Sequence, residues 1–176
     1  MLEEITIFAR AGQGAITASN VLARAAFIEG RYAVAFPMFG VERSGSPMKS
    51  FVRISDKKVS RRDQICSSDY VIILDNSLLD LVETHCGMPK KKIIANCEEE
   101  CSGKKMCVNA SKIAMDTIGR PFVNIAMVGA FAKVSGFIKI ESVMKAIEEV
   151  MKGKKPEMIE KNKEVAKKVF IVCKIK

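Results

Sequence analysis

The sequence predicts one α/β domain spanning residues 1–176, three layers deep. A mostly parallel sheet is flanked by helices, and further helices finish the chain. Three observations predict it. A β-rich segment near the N-terminus runs into a glycine turn and then a helical repeat. The continuous apolar run Tyr70-Val71-Ile72-Ile73-Leu74 has the character of a central parallel strand. The last third of the chain reads as successive helices. A chain of 176 residues, 48% apolar, is long enough to close one core of two or three layers and too apolar to be disordered.

Glu3 to Ala9 (E-E-I-T-I-F-A) reads as a buried strand. After Arg10-Ala11-Gly12-Gln13-Gly14, the residues Ala18, Val21, Leu22, Ala25 and Ile28 recur at helical spacing, and Gly30 stands where a C-terminal cap belongs. Tyr32 to Phe36 reads as the next strand of a parallel β-α-β unit. Phe36 to Pro47 contains two prolines and two glycines and reads as a loop. Ser50 to Ser55 alternates like a strand with one wet face. Asn76 to Thr84 reads as a helix, with short strands at Lys92 to Ala95 and Met106 to Val108. Pro121 to Val134 is apolar almost all round, and its small residues, Gly129 among them, let a helix lie close to its neighbours. Ser142 to Met151 and Pro156 to Val169 complete the helices, with Gly153 between them. No repeat, linker or low-complexity segment interrupts the chain.

The net charge of +9 is concentrated. Residues 151–176 carry nine Lys and three Glu, so most of the excess belongs to one C-terminal helix and not to a broad groove. A solvated face, or a dock for an acidic partner, explains it better than nucleic-acid binding, for which no motif is present. No apolar stretch reaches membrane-spanning length, and the start lacks a secretory signal, so a cytoplasmic protein is expected. The six cysteines are expected to be reduced thiols.

Three segments are candidates for chemistry. Gly12-Gln13-Gly14 joins a strand to a helix start, a place where free N–H groups and the helix dipole favour a phosphate. Thr17 replaces the third glycine of a dinucleotide fingerprint, and no Walker lysine follows, so a plain tight turn is the competing reading. Glu42 and Arg43 lie in the second loop, which a parallel topology brings beside the first turn; a local ion pair is the alternative there. Cys86, Cys97, Cys101 and Cys107, near the single histidine His85, match neither zinc nor ferredoxin spacing and read as small core or loop residues more readily than as metal ligands. Nothing forms a self-contained catalytic set, which suggests a domain that lends surface to a site built elsewhere.

These residues resemble a known family. Arg10-x-Gly12-Gln13-Gly14, the run from Phe36 to Pro47 (F-P-M-F-G-V-E-R-S-G-S-P) and the segment from Pro121 to Phe131 (P-F-V-N-I-A-M-V-G-A-F) are similar, in order, to gamma subunits of 2-oxoacid:ferredoxin oxidoreductases. Ala11 stands where that family commonly has Gly, and Ser44 where it often has Arg. The resemblance implies a complex that converts pyruvate, coenzyme A and oxidised ferredoxin to acetyl-coenzyme A, CO2 and reduced ferredoxin. It implies alpha-, beta- and delta-type partners that carry thiamine diphosphate and iron–sulfur clusters. The gamma chain then binds no cofactor alone and has no catalytic or metal-binding residue. Its part is structural, with coenzyme A-region surface at Gly12, Gln13, Gly14, Glu42 and Arg43. A branched-chain 2-oxoacid complex is the nearest alternative, and a stand-alone nucleotide- or flavin-binding module is the alternative from another class.

Overall fold

The structure, a computed structural model, describes residues 1–38, 45–98 and 102–173. Six strands form one sheet: β1 (Leu2–Arg10), β2 (Tyr32–Met38), β3 (Pro47–Ser55), β4 (Tyr70–Ile73), β5 (Lys92–Asn96) and β6 (Lys105–Val108), in the order β2-β3-β1-β4-β5-β6. The strands β1, β4, β5 and β6 run parallel, and β3 is antiparallel to both of its neighbours. The expected β-α-β crossover is present, but β3 is inserted between β1 and β2. Strand β2 also runs through Pro37 to Met38, and β3 starts at Pro47, so strand invades both ends of the predicted loop. As a sheet-edge strand, β2 tolerates a residue without an N–H.

Six helices cover the sheet: α1 (Ala15–Ile28), α2 (Asp80–Cys86), α3 (Ala110–Ile118), α4 (Val123–Ser135), α5 (Ile140–Val150) and α6 (Pro156–Val172). On one face, Ile5, Ile7, Val52, Ile54, Ile72 and Ile94 pack against α1 and α4, and α3, α5 and α6 close the same core. On the other, Phe8, Val71, Ile73 and Ile93 pack against Leu78 and Val82 around α2. All four residues of β4 are buried, because both of its faces are covered.

Helix α4 is buried from Val123 to Ala132 apart from Asn124. Its small residues act as predicted: a Cβ on Gly129 would lie 2.3 Å from the backbone carbonyl oxygen of Ala166 in α6. Three lysines of α6 pair with carboxylates: Lys161 with Glu157 at 2.8 Å, Lys163 with Glu148 at 2.5 Å and Lys168 with Glu164 at 2.7 Å. No helix among the described residues is long and apolar enough to cross a membrane.

Two expectations are overturned, and one helix is additional to those expected. Ser50 to Ser55 has no wet face; all six residues are buried. The second face is roofed by Ile65 over Phe36 and Phe51, and the Arg53 guanidinium, 2% exposed, is held there by Glu4 at 2.8 Å and Asp63 at 3.4 Å. A strand residue as polar as Arg is buried because carboxylates arrive from a neighbouring strand and from the segment beyond β3. Helix α3 was not read from the sequence, although Asn109 caps it by accepting from the Lys112 N–H at 2.9 Å and Gly119 ends it with φ 81°. Finally, Cys97 and Cys107 are not separate thiols but form a disulfide, because β5 and β6 are adjacent and bring the two Cα atoms to 5.3 Å.

Candidate functional site at the carboxyl ends of the parallel strands

The chain leaves β1 towards the α1 face and leaves β4 towards the α2 face, so the crevice at the ends of β1 and β4 is the topological switch point. The Arg10 to Gly14 turn sits there. Gly12 has φ 97° and Gly14 φ 81°, values that a side chain rarely tolerates. Arg10 and Gln13 act as fasteners. The Gln13 amide oxygen accepts from the Arg10 N–H at 2.8 Å, and its nitrogen donates to Asp75 Oδ2 at 3.1 Å. The Arg10 guanidinium reaches Asp75 at 3.2 Å, the Ser77 hydroxyl at 2.7 Å and the Gly45 carbonyl at 3.1 Å. One clamp thus ties the end of β1 to the end of β4 and to the residues that precede β3.

Asp75 is the hub of that clamp. Burial pushes its carboxyl up, but hydrogen bonds from the Ser77 hydroxyl and amide, the Gln13 amide, and the Arg10 charge together hold it below the usual aspartate value. The Ala11 N–H donates to the Ser46 carbonyl at 2.8 Å, which brings the end of the second loop against the first turn as the sequence predicted. Glu42, Arg43 and Cys101 lie outside the described residues, as do the side chains of His85 and Cys86.

With Gln13 engaged in the clamp, Gly12 and Gly14 place no side chain of their own at the start of α1. Gly14 is its N-cap and supplies no side chain to the first N–H groups. The Asn124 side chain closes over it, donating to the Gly14 carbonyl at 3.5 Å. The helices α4 and α6 also begin here, behind Phe122 and Lys155, again with no side-chain cap bond. The three starts border a cleft of about 390 Å³ reached by Thr17, Asn20, Ile125, Met151 and Lys154. An adjoining cleft of about 250 Å³ shares Phe122 and Met158 with it and adds Arg120, Lys155, Glu157 and Lys161.

Lys161 pairs with Glu157, whereas Arg120, Lys154 and Lys155 have no carboxylate partner among the described residues. Phe122 is 44% and Met158 40% exposed. The combined groove therefore offers unsatisfied N–H groups, an excess of free cations and apolar side chains, which suits an anionic ligand that also carries an apolar portion. Sequence reasoning located Gly12 and Gly14 and missed Arg120, Lys154 and Lys155. A Lys-Gly-Lys-Lys-Pro run before a helix was the signal for the two lysines, and Arg120 had none. Among the described residues, no three His, Cys, Asp or Glu side chains converge as a metal site needs.

With this geometry in place, comparison with known proteins defines the class. The family model for pyruvate ferredoxin/flavodoxin oxidoreductase matches residues 4–171. Pyruvate synthase subunit PorC of Methanocaldococcus jannaschii is 47% identical, over 93% of this chain and 94% of that protein. The pyruvate/ketoisovalerate oxidoreductases common subunit gamma of Pyrococcus abyssi is 44% identical over 95% of each chain. The crystal structure of pyruvate oxidoreductase subunit PORC of Thermotoga maritima superposes with a TM-score of 0.82 at 32% identity, covering 97% of this chain and 96% of that one. A 2-oxoglutarate:ferredoxin oxidoreductase from Magnetococcus marinus, solved with 2-oxoglutarate, coenzyme A and succinyl-coenzyme A bound, shares the fold at a TM-score of 0.79 and 15% identity. That match covers 98% of this chain and 32% of the larger one. The chain belongs to the pyruvate ferredoxin/flavodoxin oxidoreductase family, as a gamma-type oxidoreductase subunit.

Proposed function

We propose that this gamma chain serves a pyruvate:ferredoxin oxidoreductase and supplies the groove that receives part of coenzyme A. Alpha-, beta- and delta-type chains supply the thiamine diphosphate and the iron–sulfur clusters. The complex acts in the cytoplasm and delivers electrons to ferredoxin. The observation that carries the coenzyme A assignment is the convergence, on two adjoining and partly apolar clefts, of three helix starts without side-chain caps and three cations that have no carboxylate partner among the described residues. Coenzyme A has the matching chemistry, with a pyrophosphate, a further phosphate, and an apolar pantetheine and adenine. In this reading Gly12 and Gly14 add no side chain of their own at the α1 start. Arg120, Lys154 and Lys155 neutralise phosphate, and Phe122 and Met158 cover the apolar portion. Gln13 acts at one remove by holding the turn.

The name of the Pyrococcus relative favours a second, compatible reading, in which one gamma chain serves both a pyruvate and a branched-chain 2-oxoacid complex. That suits a subunit whose contacts are with coenzyme A and not with the 2-oxoacid. Affinity capture of the native chain distinguishes the two by recovering one partner set or two.

The assembled enzyme tests the groove. Reversing Arg120, Lys154 and Lys155 to Glu is expected to raise KM for coenzyme A tenfold or more, with KM for pyruvate and iron content unchanged. An unchanged KM for coenzyme A overturns the assignment.

A further inference from the structure

We infer that Cys97 and Cys107 form a thiol-exchange site, a reversible dithiol/disulfide that reacts with a low-molecular-weight disulfide from solution. Four observations support it. The two sulfurs are bonded to each other across neighbouring strand ends, with β5 stopping at Asn96 and β6 continuing through Cys107 to Val108. The pair lines an open depression of about 380 Å³, a size that admits small molecules. This separates it from Cys173, which is 4% exposed and packs within the core.

Among the described residues, two features around the pair favour thiolate. Helix α3 begins at Ala110, directly after Asn109, and both Asn109 and Lys112 line the same depression. The positive end of a helix and a nearby ammonium are the features that make a cysteine reactive. The Lys112 side chain pairs with no carboxylate among the described residues. Glu98, the one carboxylate lining the depression among the described residues, is instead held by the Asn109 amide at 2.8 Å. The two cysteines are also unequal: Cys97 is 7% exposed and Cys107 half-buried. That difference assigns the order of events.

In the reduced pair, the Cys107 thiolate attacks one sulfur of the small disulfide. A mixed disulfide forms on Cys107, and one small thiolate leaves and takes up the proton that Cys107 gave up. The Cys97 thiolate then attacks the Cys107 sulfur and expels the second small thiolate, which is protonated in turn. Two protein thiols are oxidised and one disulfide is reduced to two thiols, so atoms and electrons balance. In a reducing compartment the disulfides that occur are mostly of this exchanging kind. The site lies apart from the coenzyme A groove and does not depend on that assignment: the two clefts share no lining residue.

The native complex, purified without oxygen, provides the test, with oxidised glutathione as the probe and alkylation followed by peptide mass analysis as the readout. Exposed Cys66, a free thiol with no disulfide partner among the described residues, is an internal reference. The expected result is a linked Cys97–Cys107 peptide after treatment, while Cys66 carries a glutathione adduct, and loss of both when reduced glutathione is added in excess. In Cys97→Ser the resolving thiol is missing, and the adduct is expected to remain on Cys107. The inference is overturned if both cysteines stay alkylatable under conditions that modify Cys66. It is equally overturned if the linkage persists in the native protein when the Cys66 adduct has been reversed.

Discussion

Replacing Gly129 by Ala reverses the sign that helix propensity assigns to it. In an exposed helix the change stabilises by about 1 kcal/mol, because Gly loses more backbone freedom on folding than Ala. Here the new Cβ would stand 2.3 Å from the Ala166 carbonyl oxygen, 2.9 Å from its carbon and 3.0 Å from its Cα. All three atoms are backbone, so no rotamer change relieves the contact. Helix α6 must instead move away from α4 by roughly 1 Å, a gap that forfeits a quarter to a half of the dispersion energy of each contact it opens.

The side chains that lose contact include Val165 and Val169, both fully buried. Overpacking of this kind costs about 1–3 kcal/mol and more where backbone resists. Net of the propensity gain, destabilisation of about 2 kcal/mol is expected, or a fall in Tm of roughly 4–8 °C for a chain of this size. Guanidinium denaturation followed by far-UV circular dichroism measures it. Ala166→Gly should give no rescue, because it removes a methyl group and leaves the carbonyl in place. A neutral or stabilised Gly129→Ala, or rescue by Ala166→Gly, refutes the close backbone approach.

Two further predictions concern the turn. Gly14→Ala meets a different obstacle, positive φ together with the Asn124 amide nitrogen at 2.5 Å from the added Cβ. It should cost about 1–3 kcal/mol, of which Asn124→Ala in the same chain recovers the steric part, so the pair should be non-additive in a double-mutant cycle. The Asp75 clamp predicts acid sensitivity: the folded carboxyl lies below its ordinary value, so its contribution is present above about pH 4 and is lost as pH falls further through the folded value. Denaturation midpoints measured between about pH 5 and pH 3 should drop less for Asp75→Asn than for the unaltered chain.

Most of the fold was legible because the relevant signals are local. The strand-turn-helix opening, the fully apolar β4 and the small residues of α4 are written in composition and period, and each is found where it was expected. Helix α3 was legible in principle from its Asn109 cap and Gly119 stop, but it is short and only Ala110 and Ala114 are fully buried, so its apolar stripe is faint. Of the candidate site, Gly12 and Gly14 were visible because a positive φ demands glycine. Gln13 was visible by position, while its task became clear only from where its amide points.

What the sequence by itself determined is the set of segments, their types and the family to which they belong. Tertiary structure decided the rest, since each remaining feature joins residues far apart in the chain. The insertion of β3 beside β1 buries Arg53 against Glu4 and Asp63 where alternation promised solvent. The adjacency of β5 and β6 turns two of six separate cysteines into a bonded pair. The meeting of the α1, α4 and α6 starts assembles a cationic groove from Gly14, Arg120, Lys154 and Lys155. Hydrophobic period fixes which face of an element is buried, but not which element covers it, and that pairing is settled only when the whole core closes.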